Sequence, residues 1–116
     1  MSKESYKKLN EIQKQIDQIH RKIVGIDYIC SGTLLKRTKV CGKPNCRCAQ
    51  EPTARHGPYY EWSRREGGRL AHSVVPASQA KLFARAIANH RLILRLLSRW
   101  ERESVRFIRD QNDRKS

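Results

Sequence analysis

From Ser78 to Arg109 the chain runs without a Gly or a Pro, and its side chains sort by type around a helix. At ~100° per residue, Arg91, Arg95, Arg99, Arg102, Arg106 and Arg109 fall within an arc of roughly 80°. Leu82, Phe83, Ala86, Ile87, Ile93, Leu94, Leu96, Leu97, Trp100, Phe107 and Ile108 occupy most of the opposite side, an apolar arc of about 180°. The pattern predicts a long helix over residues 78–110, with Ser78 suited to cap it, and a short tail over 111–116. An arc this wide needs cover on two sides. It is broad enough to lie on a sheet and still meet a second helix.

Residues 3–29 supply that second helix. Leu9, Ile12, Ile16, Ile19, Ile23 and Ile26 are spaced alternately three and four apart, with Lys, Gln, Glu and Asp on the other faces. A repeat averaging 3.5 residues keeps one stripe aligned with a partner helix. Two placements are open: docking on the chain's own last helix, or self-association or docking on another protein. The seam is short for a free dimer, and Ile at both seam positions does not favour a two-stranded pair. Gly25 weakens the helix near its end.

Between the helices, Ser31-Gly32 is a break. Thr33 to Val40, Tyr59 to Arg64 and Arg69 to Val75 read as strands, with Glu66-Gly67-Gly68 turning the second into the third. Pro76 ends the last strand because it has no N–H for the ladder. The fold class is therefore α+β: an N-terminal helix, a small three-stranded antiparallel sheet over 31–76 with a cysteine-rich turn, and a long C-terminal amphipathic helix. At 116 residues this reads as one domain.

The turn before the second strand carries Cys41-Gly-Lys-Pro-Asn-Cys46-Arg-Cys48, followed by His56-Gly-Pro-Tyr-Tyr60. Three thiols and an imidazole on tightly bent backbone make a donor set for tetrahedral Zn²⁺, with Cys41, Cys46, Cys48 and His56 as ligands. The C-x4-C-x-C-x7-H spacing is not a common finger pattern. The competing reading is a reduced turn whose thiols pack as small hydrophobes. A disulfide is disfavoured, since Cys46 and Cys48 flank one residue and the N-terminus has no signal-peptide character. Cys30 lies outside the motif.

This segment resembles a small bacterial family of unknown function associated with transposase-type mobile elements. The family shares a C-G-K-P-x-C-x-C core, then H-G-P-Y-Y, a W-x-x-E-G-G-like hairpin and a V-P before a long helix. The matching residues are Cys41 to Cys48, His56 to Tyr60, Trp62 to Gly68 and Val75-Pro76, within a resemblance covering roughly residues 31–100. It implies a link to mobile elements but no established activity. Tyr60-Glu61-Trp62-Ser63 is more polar than the aromatic run the family has there.

The net charge is +14, from 25 Lys and Arg against 11 Asp and Glu. The first helix is nearly balanced, and the excess sits on the middle and last segments. A folded domain this basic meets a polyanion, and DNA or RNA is the first candidate. On the last helix the stripe is all Arg, the side chain suited to bidentate phosphate contact. Around the cysteines, Lys36, Arg37, Lys39, Lys43, Arg47, Arg55, Arg64, Arg65 and Arg69 surround Tyr59, Tyr60 and Trp62. That mixture suits nucleic acid, where rings stack on bases and cations neutralise phosphates. The alternative for Tyr60 and Trp62 is packing under the last helix. No apolar run approaches the ~18 residues of a membrane span, so a cytoplasmic protein is expected; an anionic membrane surface is the second candidate polyanion, set aside because the apolar side of the last helix is needed for the core.

No enzyme is expected. Paired carboxylates, a phosphate-binding Gly loop and the zinc deaminase signature are all missing from the sequence. A Cys nucleophile with His56 or His72 as base is conceivable, but a shared structural role explains the clustered cysteines more simply. The sequence therefore reads as a zinc-stapled, basic nucleic-acid-binding accessory protein, a subunit of a mobile-element or related nucleic-acid-processing machine. The alternative is a structural or oligomerisation module that docks on a larger protein, or on itself, through its apolar helices.

Overall fold

The computed structural model describes residues 3–39, 43–51 and 56–112, without the side chains of Lys39, Cys48, His56 and Asn112. In chain order the elements are α1 (Lys3–Val24), β1 (Thr33–Lys39), a 3-10 turn (Arg47–Ala49), β2 (His56–Glu66), β3 (Arg69–Val75) and α2 (Ala77–Asn112). They form two compact units: a helical unit of 1–28 with 89–116, and a sheet unit of 29–88. Residues 77–88 of α2 belong to the sheet unit and its remaining residues to the helical unit.

In the helical unit the spaced aliphatics of α1 drive the packing. Ile12 and Ile19 are 1% and 0% exposed, and Leu9 and Ile16 are also buried, as is Leu96 of α2. The helices run antiparallel. Lys8 Nζ lies 3.4 Å from Asp110, Arg99 donates to Gln15 Oε1 at 3.5 Å, and the His20 ring meets Trp100 edge-on at 4.5 Å. The Ile seam is thus used within the chain, the first of the two placements the sequence allowed.

Two details depart from the expected helix over 3–29. It stops at Val24, and Ile23 and Ile26 are only half-buried. Gly25 still donates its N–H to Arg21 at 3.3 Å, but Ile26 donates to Ile23 at 3.0 Å, a tightened last turn. The following chain is held instead by Asn89, whose amide donates to Asp27 Oδ1 at 3.0 Å and to the Tyr28 carbonyl at 2.9 Å. Those bonds outweigh one more helical turn begun on a glycine, which costs about 1 kcal/mol against alanine.

In the sheet unit the strands are antiparallel in the order β1-β2-β3. Gly67 and Gly68 have φ of 55° and 80°, the paired positive values that a two-residue hairpin of matching twist requires. The first pairing is irregular between Arg37 and Lys39, and it closes with Lys39 opposite His56. At the other end Gly32 has φ 106°, and a Cβ there would collide with the Ser63 carbonyl. Trp62 fixes that approach by donating Nε1–H to Ser31 O at 2.9 Å, and its ring lies 5.0 Å from Phe83 of α2. Among the described residues of this unit, Val75, Ala80, Ala86 and Ile87 are the buried apolar ones.

Candidate nucleic-acid interface

Three sets of residues were candidates for chemistry. The structure treats them differently. On α2, Arg91, Arg95, Arg102, Arg106 and Arg109 are exposed. Arg99 is half-buried because it sits at the edge of the arc nearest α1, where it reaches Gln15. Arg106 is held by Glu103, with Nη1 at 3.0 and 2.8 Å from the two carboxylate oxygens. Among the described residues, Arg91, Arg95, Arg102 and Arg109 make no ion pair or hydrogen bond through their side chains. From Arg91 to Arg109 the row extends about 27 Å at 1.5 Å per residue.

In the sheet unit, alternation divides the basic residues between two faces. Trp62, Arg64 and Tyr60 share the face on which Phe83 packs, so the two aromatics are half-buried rather than presented. Arg64 is committed. Its guanidinium lies 4.0 Å from the Trp62 ring centroid, Nη1 donates to Ser73 Oγ at 2.6 Å, and Nε donates to Glu66 at 3.0 Å. With its side chain 14% exposed, this Arg joins Trp62 to β3. Arg47 pairs with Glu51 at 2.9 Å in an exposed i,i+4 contact. Lys36, Lys43, Arg65 and Arg69 are exposed, as is Arg37, which lies 4.0 Å from Glu61. Arg55 and the Lys39 side chain lie outside the described residues.

The opposite sheet face holds a group that sequence reasoning did not assemble. Register places Glu61, Ser63, His72 and Val74 side by side. Ser63 Oγ is 2.7 Å from His72 Nδ1, and Glu61 Oε1 is 3.5 Å from the same nitrogen. A Ser–His–acid relay needs serine and acid on opposite ring nitrogens. Here both meet Nδ1, so the group is a polar cluster on an open face, beside a depression of about 490 Å³ lined by Arg37, Thr38, Tyr59, Glu61 and Val74. The period-2 alternation of β2 and β3 was the available signal, but the register that joins them was not.

Of the four expected metal ligands, Cys41 lies outside the described residues, as do the side chains of Cys48 and His56. Cys46 is a half-buried thiol in a turn where its N–H bonds Lys43 O at 3.1 Å and Ala49 N–H bonds Cys46 O at 3.1 Å. Among the described residues no three His, Cys, Asp or Glu side chains form a metal-holding group. The backbone does bring the ends of the segment together, since Lys39 and His56 pair. Cys30 sits apart: it donates Sγ–H to Ser31 O at 3.3 Å and its amide bonds Ala86 O. Burial pushes its thiol pKa up, partly opposed by the Arg64 charge.

These features define an α+β protein with an antiparallel helix pair, a small three-stranded sheet and cationic surface on both units. The chain belongs to the family defined by a domain of unknown function, DUF6788, which matches residues 9–84. Neither a curated protein nor a solved structure matches it. No helix among the described residues is long and apolar enough to cross a membrane.

Proposed function

We propose that this protein is a basic nucleic-acid-binding accessory subunit that grips phosphates through α2, with the motif cysteines and His56 stapled by Zn²⁺. The observation that carries this reading is the row of Arg91, Arg95, Arg102 and Arg109, exposed and without acidic partners among the described residues. Like charges at i, i+4 destabilise a helix by a few tenths of a kcal/mol per pair. A phosphate backbone reverses the sign of that term. Contact is mainly to the backbone, because the row carries no aromatic on which a base can stack. Cys41, Cys46, Cys48 and His56 would hold the metal, and its chemistry there is to fix the turn. The tie to a mobile element rests on the resemblance of the Cys41–Gly68 motifs.

The test is salt-dependent binding to a duplex and to a single strand. Replacing Arg91, Arg95 and Arg102 with Gln should flatten the slope of log K against log salt by roughly three units on duplex DNA, at about 0.9 counterion per phosphate. Arg64→Met is the internal control: its guanidinium is already occupied, so it should lower stability and leave the slope alone. A triple variant with the parent's slope overturns the reading. The interaction-module alternative then takes over, and it too has an observation behind it: the side of α2 next to the Arg row is apolar and uncovered.

A further inference from the structure

The open face of the sheet leaves one carboxylate without a donor. Glu61 sits mid-strand on β2, opposite Leu35 of β1 and Val74 of β3, with its side chain 25% exposed. Neither of its basic neighbours hydrogen-bonds it. Arg37 Nη2 is 4.0 Å from Oε1, and His72 Nδ1 is 3.5 Å from it. A ring nitrogen has a single in-plane bonding direction, and Ser63 Oγ at 2.7 Å takes that of Nδ1. Glu61 therefore accepts no hydrogen bond among the described residues. A carboxylate has room for about four, and covering most of it without a donor is costly.

The same face sets a ring and a cation beside that carboxylate. Alternation along β2 turns Tyr60 and Trp62 toward the Phe83 side and leaves Tyr59 on the open side, 40% exposed. Among the described residues the Tyr59 side chain has no stacking or hydrogen-bonding partner. Arg37 lies opposite it in the β1–β2 pairing, with its side chain 59% exposed. The depression of about 490 Å³ lined by Arg37, Thr38, Tyr59, Glu61 and Val74 falls within the roughly 300–1,000 Å³ of small-ligand sites. It offers an aromatic surface, an aliphatic side, a carboxylate acceptor and a cation. Those are the contacts that an unstacked base and its phosphate require.

The acceptor decides which base. On its Watson–Crick edge guanine alone carries two adjacent donors, N1–H and the N2 amino group, which match the two oxygens of a carboxylate. Adenine and cytosine set a ring-nitrogen acceptor beside their amino group. Uracil and thymine flank a single N–H with two carbonyls, and Glu61 would repel each of these acceptors. A guanidinium also offers two donors. It would bring positive charge to a face that already carries Arg37 and Arg65, on a chain of net charge +14.

We propose that this depression is a pocket for an unpaired guanine of a single-stranded nucleic acid. Tyr59 stacks on the base, Glu61 accepts from its N1–H and N2 amino group, and Arg37 meets the adjoining phosphate. The assignment rests on the nucleic-acid reading above and adds base selection, which the Arg row of α2 does not supply. Base pairing hides the Watson–Crick edge, so the pocket acts only on unpaired strands.

Fluorescence anisotropy of the full chain with short labelled U-tracts tests this, each tract carrying G, inosine, A or C at its centre. The G strand should bind more tightly than the A strand by roughly five- to hundredfold. Inosine keeps N1–H but lacks the amino group, so its strand should fall between them. This ranking needs no variant to fold. Glu61→Gln, with one acceptor and one donor, should bring the G, inosine and A strands within about twofold of one another. Tyr59→Ala should weaken the G strand by roughly five- to hundredfold, and Arg37→Gln should flatten its salt slope by about 0.7. Equal affinity for the G, inosine and A strands overturns the pocket, as does a guanine preference that survives Glu61→Gln. The duplex test of the Arg row stands apart, since a paired guanine cannot enter. Duplex binding without a base ranking on single strands removes the pocket and leaves the proposed function. A guanine ranking together with a duplex salt slope indifferent to the Arg91, Arg95 and Arg102 triple variant does the reverse, and a chain that binds no strand removes both.

Discussion

Truncating the α1 seam one residue at a time should trace how deeply each side chain is buried. Ile12 and Ile19 are 1% and 0% exposed, so Ile→Ala there removes fully transferred methyl groups and leaves a cavity between two helices. Such changes cost about 2–5 kcal/mol, with the alanine's better helix propensity returning a few tenths. Ile23 is half-buried in the last turn before Gly25, where water can fill the gap and the helix end can relax. About 1 kcal/mol is expected there by scaling apolar burial. Against a total of roughly 5–15 kcal/mol for a small domain, either deep variant should lower the urea midpoint strongly. Far-UV circular dichroism follows the transition, and an unchanged m-value confirms that the denatured state is not the cause. The reasoning fails if Ile12→Ala lies within half a kcal/mol of the parent, or matches Ile23→Ala. The seam would then be solvated and α1 held by something other than its aliphatics.

Gly32→Ala should destabilise the sheet unit by about 1–3 kcal/mol, because φ is strongly positive and the new Cβ meets the Ser63 carbonyl; a melting temperature equal to the parent's would refute this. Gly67→Asn, at φ 55° with open space around it, should cost well under about 1 kcal/mol, since Asn tolerates the left-handed region. Protein purified without a metal-affinity tag should carry about one zinc per chain. Chelation should lower its melting temperature, and well under half an equivalent with an unchanged melt would remove the metal from the proposed function.

The sequence made the periodic elements plain and left the pairwise commitments hidden. The Ile12–Ile19 spacing was sufficient to place the α1 core, because a 3.5-residue repeat has one helical solution. Gly67-Gly68 was sufficient to place the hairpin, because few dipeptides accept two positive φ values. The end of α1 was not legible. It depends on Asn89, more than sixty residues away in sequence, capturing the chain after Gly25. Arg64 was counted among basic residues available to a ligand. Its place two residues after Trp62 put both on one strand face, but only the β2–β3 register revealed the Ser73 hydroxyl beside it. Arg99 likewise sits in the Arg stripe by angle, yet it lies at the margin where α1 begins. Among the motif residues the legible part was the chain reversal that sets Lys39 opposite His56.

The chain has two tryptophans, and each unit holds one. Trp100 meets His20 in the helical unit, and Trp62 lies between Arg64 and Phe83 in the sheet unit. Intrinsic fluorescence is therefore already a two-channel probe. A chain carrying Trp62→Phe reports only on the helix pair, and one carrying Trp100→Phe only on the sheet. Superimposable urea curves from the two would mean that α2, shared by both units, transmits unfolding along its whole length. Separated curves would place a break in cooperativity near Ala88 and Asn89, and the unit that opens first would be the one free to adapt its shape to a ligand.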